Sequence, residues 1–203
     1  MKILITGVYG IVGSFLCNEL KTKHHIIGIG RKEKYDECQQ YYSCDITDKN
    51  AIEKVLKENK DIDIIIHCAA LAHNKGNDLS KDRFMKVNYE ATKYFVDLSN
   101  EILNLKNFIF VSTISVYGER LEKSKYIETD TCEPRSPYAV AKKLSEDYII
   151  ENYRNNYTIL RLAPVYSDNF KLNIERRALI KGKSYVVGNG NQKLSLCNIK
   201  NIY

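Results

Sequence analysis

Apolar residues gather in short runs along most of the chain. Lys2 to Thr6, His25 to Ile29, Asp63 to His67, Asn107 to Ser112 and Thr158 to Leu162 are each of strand length. Between these runs the apolar positions change period and return at intervals of three and four. Val12, Phe15, Leu16 and Leu20 form one such stripe, and Ile52, Val55 and Leu56 a second. Val87, Ala91, Tyr94, Phe95, Leu98 and Ile102 form a third, and Ala141, Leu144 and Tyr148 a fourth. That spacing lines one face of a helix. Strands alternating with amphipathic helices predict an α/β fold in which right-handed crossovers join parallel strands into a sheet.

Two motifs sit on this framework. Gly7, Gly10 and Gly13 follow the first strand at intervals of three and open the first helix. In such a unit the first glycine makes a tight turn, the second admits a pyrophosphate to the backbone, and the third lets helix and strand pack closely. The free N–H groups of the helix N-terminus then face the phosphates. The second motif is Ser136-Pro137-Tyr138-Ala139-Val140-Ala141-Lys142. On a helix Tyr138 and Lys142 share a face, and an ammonium beside a phenol stabilises the phenolate. The pair is therefore a candidate proton carrier.

With 203 residues and 44% hydrophobic composition, the chain has enough material for a full core. No apolar stretch approaches the roughly 18 residues needed to span a bilayer, and no charged leader precedes the first strand, so a cytoplasmic protein without membrane contact is expected. The net charge of +6 suits an anionic ligand but is spread along the chain, so no nucleic-acid partner is inferred; an RNA-binding rival would predict strongly salt-dependent binding. The six cysteines include no C-x-x-C pair and read as reduced thiols. His24, His25, His67 and His73 form no ligand set, and no metal is expected.

The order Thr6-Gly7-x-x-Gly10-x-x-Gly13, Asp45-Ile46, His67-Cys68-Ala69-Ala70, Asn88, Ser112-Thr113-x-x-x-Tyr117-Gly118 and Tyr138-x-x-x-Lys142 resembles the extended short-chain dehydrogenase/reductases. Within them it is similar to the nucleotide-sugar epimerase/dehydratase branch. The resemblance runs from Met1 to about Tyr203. It implies a Rossmann-like doubly wound parallel sheet with helices on both faces: a dinucleotide-binding domain over 1–162 and an incomplete substrate region over 163–203. Cofactor contacts carry over to Gly7, Tyr9, Gly10, Ile11, Val12, Gly13, Arg31, Asp45, Ile46, Ala69, Ala70, Asn88, Ser112, Tyr138 and Lys142. Thr113, Tyr138 and Lys142 are implied to be catalytic, with Asn88 supporting the lysine through water.

Which dinucleotide binds turns on the end of the second strand, where a carboxylate favours NAD. Ile29-Gly30-Arg31 has none, and Arg31 with Lys32 offers cations to a 2′-phosphate. NADP is favoured, while NAD remains open if Arg31 stacks on adenine or faces solvent. Asp45 matches the family's adenine-contacting acid, and Asp48 is the better helix N-cap.

The residues after Thr113 narrow the reaction. Dehydratases that resemble this chain place Asp and Glu there, but Ile114 and Ser115 stand here. 4-Epimerisation or 4-keto reduction of a nucleotide-activated sugar, for polysaccharide synthesis, is expected. Arg161-Leu162-Ala163-Pro164-Val165-Tyr166 resembles a family stretch in which Ser167 replaces the usual glycine. Asn173 lies where relatives contact the nucleotide diphosphate. Gly188-Asn189-Gly190-Asn191-Gln192 reads as a polar turn between strands. Relatives follow it with an arginine; Leu194 takes that place and Lys193 stands one residue early, which on a strand is the opposite face. Thr113, Asn173 and Lys193 are the candidate substrate contacts.

Family members continue for roughly another hundred residues, so part of the sugar pocket is expected to be missing. This keeps a rival open, a dinucleotide-binding sensor or scaffold without turnover. Dimerisation through helices near residues 82 to 103 and 137 to 154 is implied by the resemblance.

Overall fold

A computed structural model describes residues 1–72, 80–118, 123, 125–180, 182–186, 189–191 and 193–203. It divides into two compact units, Met1–Arg161 and Leu162–Tyr203. The first is built on β1 (Lys2–Thr6), α1 (Ile11–Leu20), β2 (His25–Gly30), β3 (Gln40–Ser43), α2 (Lys49–Glu58) and β4 (Ile64–His67). It continues with α3 (Lys81–Phe84), a π-helical turn (Met85–Glu90), α4 (Ala91–Ile102), β5 (Asn107–Thr113), α5 (Pro137–Asn152) and β6 (Tyr157–Leu162), whose last residue belongs to the second unit. The six strands lie in the order β3-β2-β1-β4-β5-β6. This is the doubly wound arrangement, with its reversal of direction between β1 and β4. The registers Ile5↔Gly28 and Ile5↔Ile66 are parallel on both sides of β1.

The core follows from the apolar runs. Leu4, Ile27, Ile29, Ile65, Phe108 and Phe110 from the strands pack with Ile52, Leu56, Phe95 and Val96 from the helices in one cluster. A strand buried on both faces reads as a continuous apolar run rather than an alternating one, which is why Ile64-Ile65-Ile66 is legible. The glycine turn depends on absent side chains. Gly7 has φ +71°, and a Cβ there would meet Ala69 Cα at 2.8 Å; one on Gly13 would meet the Gly7 carbonyl oxygen at 2.3 Å. Asp48 caps α2 by accepting from Ala51 N at 3.1 Å, as its position predicts. Ser136 caps α5 from the Ala139 N–H, with Pro137 opening the helix.

Three features depart from the sequence pattern. β3 is an additional edge strand made by the Tyr41-Tyr42 segment, whose side chains are only partly buried. Leu144, expected in the apolar stripe of α5, is 37% exposed, while Lys142, Ser145 and Glu146 are buried in the same helix. Between α3 and α4 the π turn runs one residue long, so that Ala91 N bonds to Lys86 O.

The second unit holds β7 (Val165–Tyr166), α6 (Leu172–Ala178), β8 (Leu179–Ile180), β9 (Lys183–Ser184) and β10 (Cys197–Asn198). β7 and β10 pair in parallel, and β8 with β9 antiparallel. No helix among the described residues is long and apolar enough to cross a membrane.

Candidate active site

A cleft of about 500 Å³ opens at the carboxyl ends of β1, β2 and β4, where the strand order reverses. Its lining includes Gly7, Tyr9, Gly10, Gly30, Arg31, Asp45, Ile46, Ala69 and Ala70, nine positions assigned to or adjoining the cofactor contacts expected from sequence. Ile11, Val12 and Gly13 follow in the first turn of α1, whose N-cap Gly10 makes no side-chain cap bond. A bare helix N-terminus behind a glycine turn with no room for side chains fits a dinucleotide pyrophosphate. Asp45 accepts from the Thr47 N–H and hydroxyl, both at 2.9 Å, which fixes the carboxylate on the cleft wall. Arg83 and Lys86 also line the cleft and were missed from sequence. Their spacing of three on the helix before Asn88 was the available signal.

At the end of β2, where a carboxylate would favour NAD, a closed ring of hydrogen bonds stands instead. Lys32 N donates to the Tyr9 hydroxyl at 2.6 Å, the Tyr9 and Tyr41 hydroxyls are 2.6 Å apart, and Tyr41 donates to Lys32 O at 2.7 Å. The Tyr9 phenol packs directly over Gly30. Tyr35 meets the Tyr9 ring edge-on at 5.5 Å, and Lys32 Nζ lies 5.0 Å from the same ring. The segment carrying Arg31 is therefore braced to the glycine turn.

Tyr138 and Lys142 lie one turn apart in α5, as the spacing predicts, and neither forms part of the cleft lining. Lys142 is 2% exposed, its Nζ 3.8 Å from the centre of the Phe110 ring. Burial drives its ammonium down to about 7, against the opposing pull of Cys68 and Glu146. Cys68 lines the cleft, so Lys142 sits behind the wall next to the glycine turn. Tyr138 is half-buried against Phe84, and burial pushes its phenol up to about 12. The expected lowering of this phenol by Lys142 does not arise: burial is what shifts Tyr138, and desolvation penalises the charged form of each partner.

The remaining predicted groups are held by protein partners. Thr113 accepts from Ser115 N and donates to Ser115 Oγ, both at 3.2 Å, capping the short 3₁₀ turn Ile114–Tyr117. Asn88 braces the chain after β4, accepting from Leu71 N at 2.7 Å and donating to Leu71 O at 3.0 Å. Its own carbonyl accepts from Thr92 and Ser145. His67 bonds Thr6 at 2.9 Å and Thr92 at 3.2 Å, and burial drives it down to about 3, so it is a neutral spacer. Ser112 donates to Glu146 at 2.5 Å, which turns its hydroxyl away from the cleft.

Glu146 is the other residue that sequence reasoning missed. It is fully buried and bonded by Arg161 through Nε and Nη2, the latter at 2.7 Å. Arg161 also donates to the Tyr117 hydroxyl at 3.0 Å and to Glu128 O at 3.1 Å. The signal was its place four residues beyond Lys142 and eight beyond Tyr138, on one helix face.

In the second unit Asn173 donates to Val165 O at 2.8 Å, and Lys193 is exposed. Gly188, Gln192 and His73 lie outside the described residues; within that turn Asn189 accepts from Asn191 N at 3.1 Å. Among the described residues no group of three or more His, Cys, Asp or Glu could hold a metal ion.

The chain belongs to the NAD dependent epimerase/dehydratase family, whose description matches residues 3–202. It is 30% identical over 207 residues to an uncharacterized UDP-glucose epimerase, YtcB, of Bacillus subtilis, covering 89% of this chain and 62% of that protein. A dTDP-D-glucose 4,6-dehydratase of Dictyostelium discoideum is 29% identical over 182 residues, 78% of this chain and 41% of its own length. The UDP-glucuronic acid 4-epimerase of Bacillus cereus, solved with UDP-glucuronic acid and NAD, superposes with a TM-score of 0.80 at 27% identity, covering all of this chain and 70% of that one. The chain thus spans about half the length of the curated relatives it matches.

Proposed function

We propose that the chain is the cofactor-holding part of an NAD(P)-dependent enzyme acting at C4 of a nucleotide-activated sugar, by 4-epimerisation or 4-keto reduction. The observation that carries this reading is the burial of Lys142 behind the Cys68 wall of the glycine-turn cleft, one helical turn from Tyr138. Relatives and structural neighbours named for UDP- and dTDP-sugars support the substrate class. Ile114 and Ser115 supply no carboxylate after Thr113, which disfavours dehydration, since removing water needs a further acid/base pair.

The Gly7 to Gly13 turn and the first amides of α1 hold the pyrophosphate, with Asp45 and Ile46 on the adenine side and Arg31 at the ribose. A bound nicotinamide supplies hydride acceptance and return at the sugar carbon. Tyr138 moves the hydroxyl proton, and Lys142 assists by charge. In its protonated form Lys142 would stabilise the Tyr138 phenolate and bond the nicotinamide ribose. Thr113 orients the sugar oxygen after giving up its bond to Ser115, and Asn173 and Lys193 contact the nucleotide diphosphate.

NADP is the preferred dinucleotide, because Arg31 and Lys32 stand at the end of β2 with no carboxylate between them and Gly30. The product feeds polysaccharide synthesis in the cytoplasm, and two copies pair through α4 and α5. A second reading, a dinucleotide-binding protein without turnover, is favoured by the capping bonds that occupy Thr113. Tyr138→Phe separates the two. The enzyme reading expects turnover of UDP- or dTDP-hexoses, tested with NAD and NADPH, to fall about 10²–10⁴-fold while dinucleotide affinity stays within a factor of three. Dinucleotide binding with no turnover of any of these sugars by the unaltered chain would leave the second reading standing.

A further inference from the structure

One helical turn beyond Gly13, α1 contributes to a dithiol that the proposed reaction does not use. Cys17, fully buried in α1, and Cys38, half-buried before β3, have their sulfurs 2.9 Å apart, and both are free thiols. The approach is built in rather than incidental. Cys17 Sγ also donates to Glu37 O at 3.2 Å, Lys21 Nζ bonds the Glu37 carboxylate at 2.5 Å one turn further along α1, and Gln39 donates to Lys21 O at 2.8 Å. On its other side Cys38 Sγ rests on β2, 2.7 Å from where a Cβ on Gly28 would stand. Four successive contacts therefore hold residues 37–39 against α1 before any covalent bond exists.

We infer that Cys17 and Cys38 form a reversible intramolecular disulfide by exchange with a small-molecule disulfide of the glutathione class, clamping the segment between β2 and β3 onto α1. In the first step Cys38, the accessible sulfur, gives up its proton and attacks one sulfur of the small disulfide; that S–S bond breaks and the departing sulfur takes up a proton and leaves as one small thiol. In the second step Cys17 attacks Cys38 Sγ in the mixed disulfide and expels the second small thiol. Two protein thiols are oxidised, one small disulfide is reduced to two thiols, and both protein protons end on the leaving groups. The bond between the sulfurs holds the Cys17 thiol below its usual value, with Lys21 helping and burial opposing, while the same bond and burial raise Cys38. Once Cys38 is in the mixed disulfide that hydrogen bond is gone, and Lys21 is the group that still favours the Cys17 thiolate in the closing step. The clamped segment begins at Arg31 and contains Tyr35, whose ring meets that of Tyr9 in the cleft lining.

The test is to equilibrate the folded chain with reduced and oxidised glutathione in graded ratios, then measure intact mass, map the linked peptides and record Tm. Expected is the loss of two hydrogens at oxidising ratios, one linkage joining Cys17 to Cys38, and a Tm rise on the order of 5 °C, reversed by dithiothreitol. Cys17→Ser should accumulate one glutathione on Cys38, and Cys38→Ser should take none at Cys17. The inference is overturned by retention of all six thiols at the most oxidising ratio, by a linkage through Cys44, Cys68, Cys132 or Cys197 instead, or by glutathione on Cys17 in Cys38→Ser. Should either variant fail to fold, peptide mapping of the unaltered chain decides alone.

Discussion

The β1–α1 turn, which lines the cleft, and helix α5, which contributes no residue to its lining, are built by opposite means. The turn works by omission: Gly7 and Gly13 bring backbone against backbone at distances no side chain allows. Helix α5 works by addition, sinking Lys142, Ser145 and Glu146 into the protein and satisfying them with Phe110, Asn88, Ser112 and Arg161. A site made of backbone is rigid and tolerates little change. A site made of buried polar side chains depends on every partner, because each buried charge is costly unless paired.

The largest expected effect tests the second half of that contrast. Glu146→Gln removes the charge opposite Arg161 and should cost about 3–5 kcal/mol in urea unfolding, whereas Glu146→Leu with Arg161→Met should recover most of it. If the single variant costs less than about 1 kcal/mol, α5 does not depend on the pair. Next, Gly13→Ala should weaken dinucleotide binding at least about 100-fold by calorimetry, because its Cβ falls 2.3 Å from Gly7 O. Affinity within threefold of the parent would show that the turn can yield.

A third effect, spread over several pH units, concerns Lys142. Its folded value of about 7 lies below the ordinary 10.5, so between these pH values the unfolded chain holds a proton that the folded chain lacks. Stability should therefore rise with pH across this window, by at most about 1.4 kcal/mol per unit. The burial penalty is fully present below pH 7 and gone above 10.5, and Lys142→Met should flatten the profile measured at pH 6, 8 and 9. Smallest is Asp48→Ala, which strips the α2 cap and should cost about 1 kcal/mol by the same method without altering dinucleotide affinity.

The same contrast explains what could be read from the chain beforehand. The buried central strands announced themselves, because Ile64-Ile65-Ile66 and Lys2 to Thr6 are apolar without interruption, and the glycine turn followed from spacing alone. β3 stayed hidden since Gln40-Tyr41-Tyr42-Ser43 is an edge strand of partly buried side chains whose tyrosine hydroxyls are held in hydrogen bonds. Helix α5 misled more: its buried face is largely polar, so Leu144 was assigned inward when Lys142 and Glu146 had taken that side. Spacing put Tyr138 beside Lys142 correctly but said nothing of desolvation, which sets their proton affinities. Thr113, Asn88 and Ser112 were found as positions, while their present partners depend on contacts 2 to 57 residues away.

The single long turn at Met85–Glu90 also limits how the chain can vary in length. Each residue of an ordinary helix advances about 100°, so the extra one sets the rod before it and the rod after it out of phase. Asn88 can thereby reach back to Leu71 while Phe95 and Leu98 still meet the sheet. Deleting a residue there would restore a regular helix and swing one of those two allegiances into solvent. The segment should behave as a fixed-length spacer in which substitutions are tolerated more readily than a change in count.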